Sequence, residues 1–347
     1  MNDLSTSLDI LDAAVRRNTI LDYYSRKSPH TVQSTLFSIN TFAEFLDTLN
    51  VKYGNLWEDP AAWAAITWGQ VELFKQWMLM QGFKISTLNL KLGTIKLMIR
   101  LAAQAHAVSH QVLSDVNAIK GYTKAEAQRI DNERTHRGIE TSKHVHKDEH
   151  NILTLDQANS LKLQPKTPQG WRDCLMMCLF IDHALRREEL HLLNKSSFYQ
   201  QEYTKEGVSY VKWAVRIVRP KVHKTQSHLL SPDTELAFLS YLEYCKDTDI
   251  LWRVSLRSGQ LLDAQIGLGS INERVQYLGY TILGIENLSP HDLRHYAVTA
   301  AARLNDRRDL VEFGGWNSDH MLSVYVHDQE FSNDGIKLPP PVLVKGE

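Results

Sequence analysis

Two arginines, a histidine, a lysine and a tyrosine in the second half of this chain are of the types that could together break and remake a phosphodiester. Arg186 and Arg294 can fork onto the non-bridging oxygens of a phosphate, because guanidinium is planar, always charged and matches that geometry. His291 stands three residues before Arg294 and can move a proton or donate a hydrogen bond near neutral pH. Lys224 falls in a segment that reads as a hairpin turn, from which it can protonate a leaving alkoxide. Tyr325 can attack phosphorus and form a covalent ester. With an ordinary pKa of ~10 it is a weak nucleophile unless cations surround it. The arginines supply the charge neutralisation that Mg²⁺ provides elsewhere, so the set calls for no metal.

These residues need elements to hold them. Thr154-Leu-Asp-Gln157 is a capping-box pattern that opens a second domain. A helix is expected over about 171–193, which would carry Ala184-Leu-Arg-Arg-Glu-Glu-Leu190. Val208 to Val218 is β-branched, aromatic and partly alternating, as in a strand. Pro220–Lys224 then makes a turn, and Leu229-Leu230 a short return. Helices follow at about 233–246, 270–282, 291–304 and 306–313. The first half reads helical throughout. Ser28-Pro29 is an N-cap with proline at the first helical position. Leu36, Ile39, Phe42, Phe45, Leu46 and Leu49 then recur at helical spacing. Trp68, Val71, Phe74, Trp77 and Met78 repeat the pattern, as does the run from Ser86 to Ala103. The expected organisation is a helical bundle over 15–120, a polar linker over 121–150 and a second domain over 151–327. A Pro-rich tail covers 328–347. The fold class is mostly α, with a small β-hairpin or sheet in the C-terminal domain.

The order and spacing of the chemical residues resemble the tyrosine recombinase, or phage integrase, family. The resemblance spans nearly the whole chain. Residues 28–120 resemble the helical core-binding domain, especially Ser86-Thr-Leu-Asn-Leu-Lys-Leu-Gly-Thr-Ile-Lys96, and 151–327 the catalytic domain. It implies Arg186 as the first catalytic arginine, with Glu189 in a supporting acidic position. It implies Lys224 as the hairpin lysine, His291 and Arg294 as the His-x-x-Arg box, and His295 as a supporting residue. Trp316 stands where the commoner residue is His, and Tyr325, nine residues later, is the nucleophile. Tyr296 stands where many members have Ser or Thr. Lys221, three residues before Lys224, is the alternative lysine. Lys224 is preferred because Lys-Thr followed by apolar residues and Ser-Pro fits the family's turn and return.

The activity so implied is site-specific DNA cleavage and rejoining through a 3′-phosphotyrosine, with no cofactor, metal or ATP. Its partners are double-stranded DNA and three further copies of the chain in a synaptic tetramer, with a possible monomer off DNA. Two domains would clamp the duplex. Lys84, Lys91, Lys96 and Arg100 in the front domain could track phosphates, although at about 100° per residue they form no single stripe. A type IB topoisomerase or telomere-resolvase task, or a decayed DNA-binding protein, are the alternatives.

Taken singly, each piece has a plainer meaning. Adjacent arginines on a helix usually make a solvated face, a tyrosine in an apolar segment is usually core, and a turn lysine is ordinary. Their joint order is what is uncommon. Total charge adds nothing, since 39 Lys and Arg face 40 Asp and Glu. Hydrophobic residues at 43% and charged residues at 23% exclude a disordered chain. The longest apolar run, Cys174–Ile181, is far short of the ~20 residues that span a bilayer. The N-terminus lacks a signal-peptide pattern, and three cysteines cannot frame a disulfide scaffold, so a cytoplasmic location is expected. His106 and His110 lack the glutamate and third ligand of a zinc site, and His144, His146 and His150 sit in the polar linker.

Overall fold

The structure, a computed structural model, describes residues 14–16, 18–138, 151–205, 207–245, 247–302 and 305–318. The chain divides into two compact units, Met1–His146 and Lys147–Glu347.

The first unit is helical: α1 (Thr19–Ser25), α2 (Pro29–Thr48), α3 (Trp68–Met80), α4 (Ile85–Gln104), α5 (His110–Ala118) and α6 (Lys124–His136). Ser28 caps α2 by accepting from the Thr31 amide at 3.3 Å, and Thr67 opens α3 with a reciprocal capping box to Gln70. Leu88, Leu92, Ile95 and Ile99 of α4 repeat at helical spacing and are buried with Phe42, Phe45, Phe74 and Trp63. Phe42 stacks on Trp63 at 5.9 Å between ring centres and meets Phe74 edge-on at 5.0 Å. Such pairs add roughly 0.5–1.5 kcal/mol each beyond the area they bury.

Two expectations change here. Residues 121–138, read as linker because they are so polar, belong to the first unit. The Asn89 side chain exchanges hydrogen bonds with both backbone groups of Tyr122, at 2.8 and 2.9 Å. Arg134 is buried and donates to the carbonyls of Phe83 (2.9 Å) and Leu79 (2.5 Å). Carbonyls in the last turn of α3 and just beyond it, rather than an apolar face, hold α6 in place. The remainder of the expected linker, 139–150, lies outside the described residues.

The second change concerns the basic residues of α4. Lys91 is 1% exposed, so the expected phosphate contact does not fit it. Its ammonium donates to Thr41 Oγ1 at 2.8 Å and lies 4.0 Å from the Phe37 ring centre. Burial lowers its pKa to about 8. Lys96 donates to the carbonyls of Asn117 (3.3 Å) and Ile119, closing the end of α5 rather than facing outward. Arg100 is exposed and Lys84 half-buried.

Lys91→Met should therefore stabilise the first unit by roughly 1–3 kcal/mol at pH 7, because a buried ammonium costs more than a thioether of similar length. In the unfolded chain this lysine holds its proton up to its ordinary value of 10.5, and in the fold only to about 8. Wild-type stability should rise with pH between those values, and the variant should lack that rise. Urea unfolding across this range measures both; a variant less stable than wild type at pH 7 contradicts the assignment.

The second unit is a helical domain with two small antiparallel sheets. Its helices are α7 (Leu155–Lys162), α8 (Pro168–His183), α9 (Arg187–His191), α10 (Pro232–Leu242), α11 (Leu268–Leu283), α12 (Pro290–Ala302) and α13 (Arg307–Gly314). β1 (Phe198–Lys205), β2 (Val208–Arg219) and β3 (Lys224–Leu229) form one sheet in that order, and β4 (Arg253–Ser255) and β5 (Leu261–Gln265) the other. Leu175 to Phe180 of α8 are buried all round, which makes this helix the centre of the core. The hairpin register pairs Arg219 with Lys224. β1 was not expected; it pairs along β2 from Phe198–Val215 to Lys205–Val208.

The helix expected over about 171–193 is two helices. α8 stops at Ala184, whose backbone is left-handed (φ 52°), and the chain restarts as the short α9. An alanine there costs roughly 1–2 kcal/mol. The turn puts Arg186 at the N-cap of α9.

Candidate active site

From the N-cap of α9, Arg186 is gripped by Glu189, one turn on. One carboxylate oxygen accepts from the Arg186 amide at 2.9 Å, the other from its Nη1 at 2.5 Å. Glu189 is itself buried. The same oxygen that takes the Arg186 amide also accepts from Nη1 of Arg219 at 3.0 Å and lies 3.9 Å from Nη1 of Arg294. One carboxylate thus sits among three guanidiniums. Burial alone would raise its pKa; Arg219, the Arg186 amide and the Arg186 guanidinium outweigh burial and hold it below the usual carboxylate range.

Arg294 projects from α12. Ser289 and Asp292 start that helix with reciprocal hydrogen bonds of 2.8 and 3.3 Å, and Pro290 follows Ser289. Asp292 is buried and also accepts from the Asn151 amide at 3.2 Å. Arg294 Nη1 donates to the Ala184 carbonyl, the group that the left-handed turn presents, and Nη2 to the Gly314 carbonyl at 2.7 Å. The Trp316 ring covers it, 5.1 Å from the guanidinium carbon, and is 4% exposed. Gly314 and Gly315 make this fit possible. A Cβ at Gly314 would overlap the Trp316 ring. One at Gly315, where φ is 61°, would overlap the Arg219 side chain.

Arg186, Arg294, His291 and Lys221 line one open cavity of about 290 Å³, with Ser289 and Asn272 on its wall. His291 is exposed. The hairpin that bears the lysines is tied to α13. Gln226 donates to the Glu312 carbonyl at 3.1 Å, and the His228 ring stacks on Phe313 at 5.8 Å. Burial first, then His183 and Arg219, push His228 down to about 3, so that contact is uncharged at neutral pH.

Of the expected site residues, Arg186, His291 and Arg294 meet at the cavity, Glu189 holds Arg186, and Trp316 packs on Arg294. Lys224 starts β3, is exposed, and is not among the cavity-lining residues, whereas Lys221, in the single turn Pro220–Val222, is. His295 is buried, with Nδ1 3.5 Å from Thr299 Oγ1 in the next turn of α12. Tyr296 packs against the core. Tyr325 and the tail 328–347 lie outside the described residues. Arg219 was missed; its only trace in the sequence is the Gly314-Gly315 pair, which signals a close approach.

A cavity with two cationic forks and an imidazole suits a phosphate diester. The phage integrase family model matches residues 151–331. Among solved structures, a lambda integrase dimer bound to a COC′ core site is similar at a TM-score of 0.58 and 14% identity, over 94% of this chain and 98% of that one. The Tn1549 transposon integrase in complex with transposon right end DNA is similar at 0.55 and 14%, over 93% and 97%. A lambda integrase tetramer bound to a Holliday junction is similar at 0.57 and 14%, over 90% and 77%. A search of curated proteins finds no match. The chain belongs to the phage integrase family, the site-specific DNA recombinases that its sequence resembles. Among the described residues, no helix is long and apolar enough to cross a membrane.

Proposed function

We propose that this chain cuts and rejoins double-stranded DNA with Arg186, Arg294, His291 and Trp316 holding the scissile phosphate and Tyr325 attacking it. The convergence of Arg186, Arg294 and His291 on one cavity carries this reading. The attack forms a 3′-phosphotyrosine and releases a 5′-oxygen, which a hairpin lysine protonates. The 5′-hydroxyl of a partner strand then attacks the phosphotyrosine and frees the tyrosine. The ester conserves the bond energy, so ATP is not needed. Exchange between two duplexes takes four protomers, in line with the tetrameric lambda integrase assembly on a Holliday junction. The cytoplasm, where DNA is accessible in a cell without a nucleus, is the proposed location.

The lysine is identified by changing the leaving group. On a nicked duplex, Lys224→Ala and Lys221→Ala are compared using an ordinary phosphodiester and one whose bridging 5′-oxygen is sulfur, which leaves without a proton. The variant lacking the general acid should be slower by roughly 10²–10⁴-fold on the ordinary DNA and near wild type on the sulfur-bridged DNA. If neither deficit shrinks on the sulfur-bridged DNA, protonation by a hairpin lysine is wrong.

A further inference from the structure

We infer that Arg219, which is not one of the residues proposed to act on DNA, is a positioning residue for strand cleavage; this rests on the function proposed above. Arg219 closes β2, is fully buried, and spends its guanidinium entirely inside the protein. Nη1 reaches Glu189 (3.0 Å) and the Gly314 carbonyl (3.2 Å), and Nη2 the Phe313 carbonyl (3.0 Å). Unlike Arg294, it is not among the residues that line the cavity, so it does not meet a phosphate held there. Stability is a poor reason for its presence. Its Nε has no hydrogen-bond partner among the described residues, and two further arginines lie close enough to depress its pKa, although burial is the larger cause. Its charge is buried at a desolvation cost, and a buried ion pair is by itself weak evidence for stability.

The geometry shows what the charge does. Glu189 has one oxygen committed to the Arg186 side chain. The other is held by Arg219 and by the Arg186 amide, and it stays 3.9 Å from Arg294, beyond hydrogen-bond length. Without Arg219, that oxygen keeps the Arg186 amide and is open to the Arg294 guanidinium 3.9 Å away. Pairing there would draw charge and donors away from the cavity, where two arginines must meet a phosphate. Arg219 also shares the Gly314 carbonyl with Arg294, so it fixes the end of α13 from which Trp316 folds back over Arg294. One buried cation thus occupies the local carboxylate and anchors the Trp316 turn, while Arg186 and Arg294 line the cavity.

The test compares wild type, Arg219→Met and Arg219→Lys in single-turnover cleavage of a nicked duplex at saturating protein. Each is measured with a normal scissile phosphate and with an uncharged methylphosphonate. The expected result is a loss on the order of 100-fold for Arg219→Met on the phosphodiester, with DNA affinity near wild type. On the methylphosphonate, where no anionic oxygen needs neutralising, the deficit should shrink to less than about tenfold. Arg219→Lys should fall between and, if the Met variant does not fold, carries the same comparison. A folded variant that cleaves the phosphodiester like wild type, or one equally slow on both substrates, overturns the inference. Absence of cleavage by wild type would instead overturn the proposed function.

Discussion

Glu189→Gln is expected to destabilise the second unit by roughly 3–5 kcal/mol at pH 7, the usual result of removing one partner from a buried ion pair. The carboxylate stands among Arg186, Arg219 and Arg294, and its loss leaves the fully buried Arg219 with carbonyl partners only. The effect has a definite pH signature. The Glu189 pKa is lower in the fold than in the unfolded chain, so the unfolded state binds the proton more readily. Its stabilisation is complete above the ordinary glutamate value of ~4.3 and is lost as pH falls through the lower, folded-state value. The gap between wild type and variant, measured by urea unfolding, should be full at neutral pH and should narrow once wild type is protonated. A gap that stays constant into acid would mean that Glu189 acts through shape rather than charge. Cleavage should suffer as well, since the same carboxylate aims Arg186.

Tyr325→Phe is expected to abolish covalent attachment to DNA while leaving DNA binding intact. The change removes one oxygen and almost no volume, so the arginines and the hairpin keep their places. The remaining protein can still hold the phosphate but has no nucleophile to transfer it to. No neighbouring hydroxyl should substitute, because the nucleophile must lie in line with the leaving oxygen and within reach of both guanidiniums.

Much of this site is legible in the sequence because its chemistry depends on short spacings. The pairs Arg186–Glu189 and His291–Arg294 are each one helical turn apart, so their cooperation follows from local structure. Longer-range features were not legible. Ala184 carries no sign of a left-handed turn, since alanine is the best helix former, and so the two helices read as one. Arg219 looks like one more basic residue in a hairpin with Arg216, Lys221 and Lys224; its burial depends on α13 closing over the end of β2. Lys91 and Lys96 read as surface cations because their spacing cannot reveal that Phe37 and Thr41 enclose one, and that the end of α5 meets the other. Arg134 likewise ties a polar helix to the first unit through carbonyls whose exposure no pattern announces.

In the proposed reaction the Tyr325 oxygen becomes covalently joined to DNA. The most direct test of this step is a duplex selected by affinity for the protein, nicked next to each candidate scissile position in turn, and incubated with wild type and with Tyr325→Phe. Denaturing electrophoresis and mass spectrometry of the adduct peptide then locate the linkage. A wild-type adduct with a 3′-phosphate on Tyr325, and none with the Phe variant, is expected. An adduct on another residue, or one that survives Tyr325→Phe, would contradict it.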